Sequence, residues 1–390
     1  MHTPVKVVWE ALPKPVRDLV ASSVDRMQGV AIPSPPTLPL DTPIRLFIGP
    51  VNYAGQGYKW ARAVEKNSEI RALNLVSSEN NVFRYDADYT VPWRTMTHSR
   101  RWQRDLLNAL VDDYTHVMFE AQFPVLGGMY NHNVKRQVDV LRAGGVKVGM
   151  VCHGTDIRLP SAHRAREPWS YFSDDSWTSI PTLEKEVKKN RQLLDDVGAP
   201  TFVSTAGLLL DVPYAHLLPV VIDASLWRTT EPALQRERLR VMHVPSHPLQ
   251  KGSILIDDAM RRLNDDGVIE YVHVLGRQQA EMPGLVAAAD IVLDQFRVGD
   301  YGVAACEAMA AGRLVVSHVS NQVRDVVANQ SGQELPIVEA TIDSLEEVLR
   351  DIALRREYYA AIAANGPTFV DTMHDGRFSR RVLEQFFLTV

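Results

Sequence analysis

The sequence predicts an α/β protein of two Rossmann-like, doubly wound domains that face each other across a cleft. The chain has 390 residues, more than one ordinary core accommodates. Short apolar runs alternate with helical patterns, and this alternation begins again after residue 227. Such alternation is typical of parallel sheets with crossover helices. Because ligands of these sheets bind beyond the carboxyl ends of the strands, we expect the site there.

The first segment, residues 1–43, is predicted to be an N-terminal extension, with a helix over residues 9–27 and a proline-rich linker after it. The first domain is predicted over 44–224. Its strands are predicted at 45–50, 115–121, 146–154 and 201–207, and its helices at 101–112, 132–143 and 182–197.

The second domain is predicted over 225–368, and a C-terminal helix over 369–390 is expected to cross back to the first domain. Phe378, Val382 and Phe386 recur every four residues there and form one apolar stripe. In the second domain, strands are predicted at 239–246, 269–276, 290–296 and 313–319, and helices at 252–266, 282–289 and 302–311.

Composition narrows the class of partner and the compartment. Hydrophobic residues make up 45% and charged residues 23%, and the net charge of -5 with no long basic run argues against a nucleic-acid partner. Cys152 and Cys306 lie far apart and fit no metal-ligand spacing, so we expect reduced thiols in a cytoplasmic protein. No apolar run is long enough to span a bilayer and no signal-peptide pattern is present, which leaves peripheral membrane contact open.

Two predicted helix starts in the second domain are candidates for anion binding. Lys251 and Gly252 open one helix after a strand and loop, and Gly302 opens the other. Free N–H groups, the helix dipole and an ammonium group all favour a phosphate at such a position. For Lys251, a solvated lysine at a helix cap is the plainer alternative.

Glu307 is a carboxylate within a run of small apolar residues in the second of these helices. A buried carboxylate requires a cation or a ligand with hydroxyls. A vicinal diol could donate two hydrogen bonds to it, whereas pairing with an arginine in the core is the alternative.

His153 and Asp156 follow a predicted strand of the first domain, where α/β proteins present site residues. Asp156 could orient the imidazole or cap the following turn, and a structural role for His153 stays open. Earlier in the chain, Gly55, Gln56 and Gly57 form a loop after the first strand. Glycines there permit close approach of backbone N–H groups to a phosphate of the donor or to an acceptor.

Five segments, in order, resemble glycosyltransferase family 4, retaining enzymes of the GT-B fold that use nucleotide sugars. HVPSHPLQKGS, ADIVLDQF and GDYGVAACEAMAAGRLVV resemble the family's C-terminal nucleotide-sugar domain. CHGTDIR (152–158) resembles its histidine motif, and LLPVVIDASLW (217–227) resembles its interdomain junction. The resemblance extends over about residues 45–390.

The resemblance implies that Lys251 contacts the donor diphosphate, that Glu307 binds the ribose hydroxyls and that His153 reaches the transferred sugar. The other candidates in the predicted donor-binding set are Ser246, Gly252, Arg277, Asp300, Tyr301, Gly302 and Val303.

Two positions depart from the family's pattern. The family's second glutamate would fall at position 299, where this sequence has Gly299, so either Asp300 replaces it with a change of register or that sugar contact is missing. The family's arginine shortly before the lysine is also absent, since Ser246, His247 and Pro248 occupy that segment.

We therefore expect a hexosyltransferase-type enzyme of carbohydrate biosynthesis that moves a sugar from a UDP-, GDP- or dTDP-sugar to a small-molecule or glycan acceptor, with retention and with neither metal nor cofactor. Asp86-Ala87-Asp88 matches a short pattern of metal-dependent glycosyltransferases, but three residues carry little weight. A non-catalytic pseudo-glycosyltransferase scaffold that binds nucleotide is one alternative. A sugar phosphorylase of the same fold, which requires a lysine-bound pyridoxal phosphate, is another.

Overall fold

The computed structural model describes residues 33–78, 84–274 and 276–389, together with Pro13, Val16 and Val20. Apart from those three positions, the helix predicted over residues 9–27 lies outside the described residues. The hydroxyls of Tyr89 and Tyr114 donate hydrogen bonds to the carbonyls of Ser34 (2.6 Å) and Pro36 (3.1 Å). These bonds fix the proline-rich segment to the first half of the chain.

The described residues form two parallel β-sheets, which confirms the predicted α/β class. The first has seven strands in the order β3-β2-β1-β4-β5-β6-β7, and the second has five in the order β12-β11-β10-β8-β9. The strands are β1 (Ile44–Gly49), β2 (Ile70–Ser77), β3 (Tyr89–Val91), β4 (His116–Glu120), β5 (Lys147–Cys152), β6 (Thr201–Val203), β7 (His216–Leu217), β8 (Leu239–His243), β9 (Ile269–His273), β10 (Ile291–Leu293), β11 (Leu314–Ser317) and β12 (Ile337–Glu339).

Helices connect these strands, as a parallel sheet requires. They are α1 (Gln56–Val64), α2 (Trp93–His98), α3 (Arg100–Asp113), α4 (Val134–Ala143), α5 (Pro160–Arg166), α6 (Ile180–Val197), α7 (Pro248–Lys251), α8 (Ser253–Asp265), α9 (Met282–Ala287), α10 (Val303–Ala310), α11 (Asn321–Ser331), α12 (Leu345–Leu354), α13 (Arg356–Met373) and α14 (Arg377–Phe386). In the described part of the chain, none of these helices combines the length and the apolar character that a membrane crossing requires.

The chain forms two compact units. The first contains the described residues up to Val151, with 193–200 and the chain end from Phe386, and the second contains Cys152–Gln192 and Thr201–Gln385. The domain limits 44–224 and 225–368 stay a prediction.

The core of the second unit follows from the sequence periods of its elements. Leu239 and Val241 alternate along β8 and are fully buried. Ile256, Met260 and Leu263 recur at helical spacing in α8 and are fully buried in the same cluster. This packing fixes the carboxyl end of β8 next to the start of α8.

The residues after α14 pack in the first unit, on the strands β4 and β5. The ring of Phe387 lies edge-on to His116 at 5.1 Å, and its Cζ lies 3.1 Å from where a Cβ on Gly149 would be. Lys147 donates a hydrogen bond to the carbonyl of Thr389 at 2.6 Å. The end of the chain therefore returns to the first sheet.

Candidate functional site

An ammonium group and a helix start meet at the carboxyl ends of β8 and β10. Lys251, the last residue of α7, forms an ion pair with Asp294, which directly follows β10. The N–H of Gly302, at the start of α10, faces the other oxygen of the same carboxylate at 3.4 Å. The Asp294 side chain is 1% exposed and that of Lys251 is 18% exposed. The two groups expected from the sequence to bind an anion thus converge on the carboxylate of Asp294, a residue that was not identified from the sequence.

His243 joins the end of β10 to the start of α8 next to this ion pair. Its Nδ1 lies 2.9 Å from the carbonyl of Leu293, and its Nε2 lies 2.8 Å from the hydroxyl of Ser253. Burial lowers the pKa of His243 to about 4, so the ring is neutral, with Nδ1 donating and Nε2 accepting. Gly252 joins α7 to α8 with φ of 79°, a left-handed conformation that favours glycine.

Glu307 lies in the second turn of α10 and is 4% exposed. Its Oε1 accepts a hydrogen bond of 2.8 Å from the amide of Gln279, in the 3₁₀ turn after β9. Gln279 was not identified from the sequence. Because an amide is neutral, this bond orients the carboxylate without neutralising it.

Other members of the predicted donor-binding set have different surroundings. Ser246 is exposed, and the exposed Arg277 pairs with Glu281 at 3.2 Å. Tyr301 is buried, with its hydroxyl 3.2 Å from Nε2 of His374. Val303 is half-buried in the first turn of α10.

Asp300 is a buried carboxylate with several protein partners. Its Oδ2 accepts hydrogen bonds from the Thr205 hydroxyl (2.6 Å) and the Gly207 N–H (3.1 Å), and lies 3.5 Å from Arg158. Its Oδ1 accepts from the N–H of Tyr301 at 2.9 Å. Burial raises the pKa of Asp300, and these donors act against that rise. Both oxygens therefore hold the loop before α10 in place.

The carboxylate of Glu167 fills the space in which a side chain at position 299 would lie. A Cβ on Gly299 would lie 2.7 Å from Oε2 of Glu167 and would overlap its Oε1 and Cδ. Gly299 has φ of 70°, and Glu167, directly after α5, is 5% exposed. Glu167 thus brings a carboxylate to the point where a side chain at position 299 would begin.

A buried histidine lies between two acids beside this position. Nε2 of His318 lies 3.0 Å from Glu167, and Nδ1 lies 2.6 Å from Glu339. Burial acts to lower the pKa of His318, but the two hydrogen-bonded carboxylates outweigh it and raise the pKa to about 9. The imidazole is therefore protonated at neutral pH and donates a charge-assisted hydrogen bond to each of the two acids.

Arg297 clamps the loop that leads to α10. It is 7% exposed, and it donates hydrogen bonds to the carbonyls of Trp169 (3.0 Å), Ser170 (3.1 Å) and Leu249 (3.3 Å) and to Asp174 (2.8 Å). The guanidinium therefore has a structural role: its hydrogen bonds join the 169–174 segment to α7.

His153 and Asp156 follow β5. The carboxylate of Asp156 accepts hydrogen bonds from the backbone N–H groups of His153 (3.1 Å) and Gly154 (2.5 Å). This is turn capping, one of the two roles expected for it. Burial raises the pKa of Asp156. His153 itself is half-buried.

In the first unit, the predicted loop begins α1 and packs on buried polar groups. Gly55 has φ of 71°, and its N–H donates to Asn52 at 2.6 Å. A Cβ on Gly57 would overlap the amide of Asn74 and lie 3.2 Å from Oε1 of Glu120. With Gln56, which is 1% exposed, these groups form a buried polar cluster in the first sheet. Asn74 and Glu120 were not identified from the sequence.

The Asp86-Ala87-Asp88 motif has a partly structural explanation. Asp88 accepts hydrogen bonds from the N–H of Asn74 (2.8 Å) and from Arg62 (3.1 Å). Within the residues that the structure describes, no group of three or more His, Cys, Asp or Glu side chains is arranged to hold a metal ion.

Comparisons with known proteins agree with this architecture. Residues 226–352 match the family model described as glycosyl transferases group 1. HepE from Anabaena, in a structure with UDP and glucose, is 12% identical, with 87% of this chain and 98% of that chain covered and a TM-score of 0.54. Sucrose-phosphate synthase from Thermosynechococcus elongatus is 12% identical, with 88% and 98% covered and a TM-score of 0.56. A search of curated proteins found no match.

These likenesses concern the fold. Two parallel-sheet α/β domains of seven and five strands match structures of GT-B glycosyltransferases, which confirms the predicted fold class.

Proposed function

We propose that this chain is a glycosyltransferase that takes a sugar from a nucleoside-diphosphate sugar. The observation that carries the proposal is the convergence of the Lys251 ammonium and the Gly302 N–H on the carboxylate of Asp294. A diphosphate offers the same charge and the same acceptor atoms. The match of residues 226–352 to glycosyl transferases group 1, and the UDP in the HepE structure, support this class of ligand.

We assign the donor contacts as follows. Lys251 and the N–H groups at the starts of α8 and α10 bind the diphosphate, and Glu307, oriented by Gln279, accepts hydrogen bonds from the ribose hydroxyls. Glu167 takes the place of the missing glutamate at 299 and faces the transferred sugar. Asp300 is not assigned to the sugar, because its oxygens are bonded within the protein.

The proposed reaction retains the anomeric configuration. As the bond between the anomeric carbon and the phosphate oxygen breaks, negative charge grows on that oxygen and positive charge on the sugar ring. Lys251 and the N–H groups stabilise the first charge without a metal. The acceptor hydroxyl attacks from the same face and passes its proton to the departing phosphate oxygen. His153 lies beside the sugar in this scheme.

The expected compartment is the cytoplasm. The chain has only two cysteines, Cys152 and Cys306, far apart in the sequence and both buried, a usage typical of proteins from a reducing compartment. UDP-, GDP- and dTDP-sugars stay candidate donors, and a small molecule or a glycan stays the candidate acceptor.

A pseudo-glycosyltransferase scaffold is the second candidate, and one observation favours it. Asp294 pairs with Lys251, and this carboxylate would compete with a phosphate for the ammonium group. Incubation with a panel of UDP-, GDP- and dTDP-sugars separates the two functions, because an active enzyme slowly hydrolyses its own donor without acceptor whereas a scaffold leaves every one of them intact.

Calorimetry with UDP, GDP and dTDP tests the donor assignment. Lys251→Ala and Glu307→Ala should each weaken binding of the preferred nucleotide at least tenfold, about 1.4 kcal/mol. His153→Ala should leave that affinity unchanged and slow turnover. Lys189→Ala, which removes an exposed ammonium on α6, is the matched control. Undiminished affinity in both Lys251→Ala and Glu307→Ala would refute the assignment.

A further inference from the structure

The second unit contains a cavity that the donor assignment does not use. It has a volume of about 500 Å³ and lies between the end of α5 and the start of α6. Arg164, Phe172, Asp174, Trp177 and Glu184 are among the residues that line it. Its volume is within the range of about 300–1,000 Å³ that is usual for small-ligand sites.

One wall of the cavity is a fixed aromatic surface. The ring of Trp177 stacks on Tyr171 (centroids 5.8 Å apart, planes at 22°) and on Phe172 (5.6 Å, 21°). Tyr171 and Phe172 are each 1% exposed, whereas Trp177 is half-buried and lines the cavity. Trp177 therefore presents a large, preorganised apolar plane to a ligand.

Two carboxylates on the cavity wall are held ionised. Hydrogen bonds from Ser176 and Arg297 lower the pKa of Asp174 to about 2. Burial acts to raise the pKa of Glu184, but the N–H (3.0 Å) and hydroxyl (2.8 Å) of Ser161 and the ammonium of Lys188 (3.1 Å) together outweigh it and lower the pKa. An ionised carboxylate accepts about four hydrogen bonds, so each retains capacity for a ligand's hydroxyls.

Arg164 adds hydrogen-bond donors to the same cavity. It is exposed, and within the described part of the chain its guanidinium has no hydrogen-bond or ion-pair partner. An apolar plane with acceptors and donors around it matches a sugar ring, which has an apolar C–H face and a rim of hydroxyls. A purely apolar ligand would leave the remaining acceptor positions of the two carboxylates unused, and an anionic ligand would be repelled by their charge.

A single guanidinium links this cavity to the proposed donor site. Nη1 of Arg297 donates both to Asp174 on the cavity wall (2.8 Å) and to the carbonyl of Leu249 (3.3 Å). Leu249 lies in α7, which ends at Lys251. The cavity is thus held in a fixed position relative to the diphosphate-binding lysine.

We propose that this cavity is a saccharide subsite, in which a sugar ring of a hydroxyl-rich acceptor stacks on Trp177 and donates hydrogen bonds to Asp174 and Glu184. Its role as an acceptor subsite rests on the proposed transferase function, whereas its capacity to bind a saccharide does not.

Saturation-transfer NMR with the methyl glycosides of glucose, galactose, mannose, N-acetylglucosamine and glucuronic acid tests this proposal. The wild-type chain should bind at least one of these glycosides. Trp177→Ala should weaken that binding at least tenfold, and Trp93→Ala, which removes a tryptophan that is 37% exposed in the first unit, should leave it unchanged. Arg164→Ala should weaken it at least threefold, and this exposed residue has no described structural partner whose loss could disturb folding.

Calorimetry with UDP on the same variants separates this inference from the donor assignment. Trp177→Ala and Arg164→Ala should bind UDP as the wild type does. Absence of binding by all five glycosides, or binding that survives Trp177→Ala and Arg164→Ala unchanged, would overturn the saccharide subsite even where UDP binds. Binding of a glycoside without any binding of UDP, GDP or dTDP would uphold the subsite and count against the proposed transferase.

Discussion

Replacing Gly299 by alanine tests whether Glu167 and Gly299 form one structural unit. The new Cβ would overlap the Glu167 carboxylate and push it away from His318. A left-handed φ of 70° costs a residue with a Cβ about 1–2 kcal/mol. Loss of a charge-assisted hydrogen bond to His318 adds about 1.5–3 kcal/mol. The expected loss in the free energy of unfolding is therefore about 2.5–5 kcal/mol.

A double-mutant cycle with Glu167→Ala separates the two contributions. With the carboxylate removed, Gly299→Ala should cost only the backbone term of about 1–2 kcal/mol. The coupling between the two substitutions should then be about 1.5–3 kcal/mol. Urea unfolding of the second unit, followed by tryptophan fluorescence, measures all four free energies.

Gly332→Ala supplies the matched control for the backbone term. Gly332 has φ of 69°, nearly the same as Gly299, but a Cβ there would meet no heavy atom within 4 Å. Its substitution should cost about 1–2 kcal/mol, with no dependence on Glu167. Equal costs of Gly299→Ala with and without Glu167 would refute the idea that the carboxylate occupies the place of a side chain at 299.

Three further predictions concern neighbouring groups. Asp294→Asn should strengthen binding of UDP by roughly tenfold, because it removes the anion that competes for Lys251; weaker binding would show instead that Asp294 positions the lysine. Gln279→Ala should weaken UDP binding several-fold through loss of orientation of Glu307, while the free energy of unfolding falls by no more than one hydrogen bond contributes, about 1 kcal/mol. The pKa of His318 is about 9 in the folded chain, against an ordinary value of 6.5. The protonated ring therefore stabilises the fold fully below pH 6.5, and this stabilisation is lost as the pH rises to 9. His318→Gln should therefore flatten the decline in unfolding free energy over that pH range, and an unaltered decline would contradict the assigned protonation.

Individual helices and strands could be predicted because the spacing of apolar residues that indicates each one lies within its own segment. The apolar run at 45–50 corresponds to β1, and the pattern at 252–266 corresponds to α8. A Gly-Pro pair usually marks a turn, yet α13 continues through Gly366 and Pro367. A Cβ on Gly366 would lie 2.7 Å from the carbonyl of Met309, so glycine there allows α13 to pack closely on α10. That gain from tertiary packing cannot be read from the helix itself.

In the candidate site, too, some residues could be predicted from local sequence, whereas others are defined only by tertiary contacts. Lys251 could be selected from the sequence because it lies at a predicted helix start. Glu307 could be selected because it is a polar residue in an apolar run. Glu167 has no such pattern, because its relation to Gly299 arises only when two distant segments meet. Asp294 directly follows a predicted strand, which is a usable signal, but its pairing with Lys251 requires knowledge of which strands are neighbours in the sheet.

The loop between β10 and α10 has no regular hydrogen-bonded structure, yet it is fixed by buried polar contacts. The amide oxygen of Gln295 accepts hydrogen bonds from the N–H groups of Arg297 (3.2 Å) and Val298 (2.7 Å), and its nitrogen donates to the carbonyl of His318 (2.7 Å). The carbonyl of Val298 in turn accepts from His163 at 3.1 Å, and burial lowers the pKa of that imidazole to about 3. Since these bonds lie within the protein itself, the N–H groups at the start of α10 would need little reorganisation to bind the phosphate that we propose there. A loop ordered only by the ligand would pay that entropy on binding and hold the phosphate less tightly.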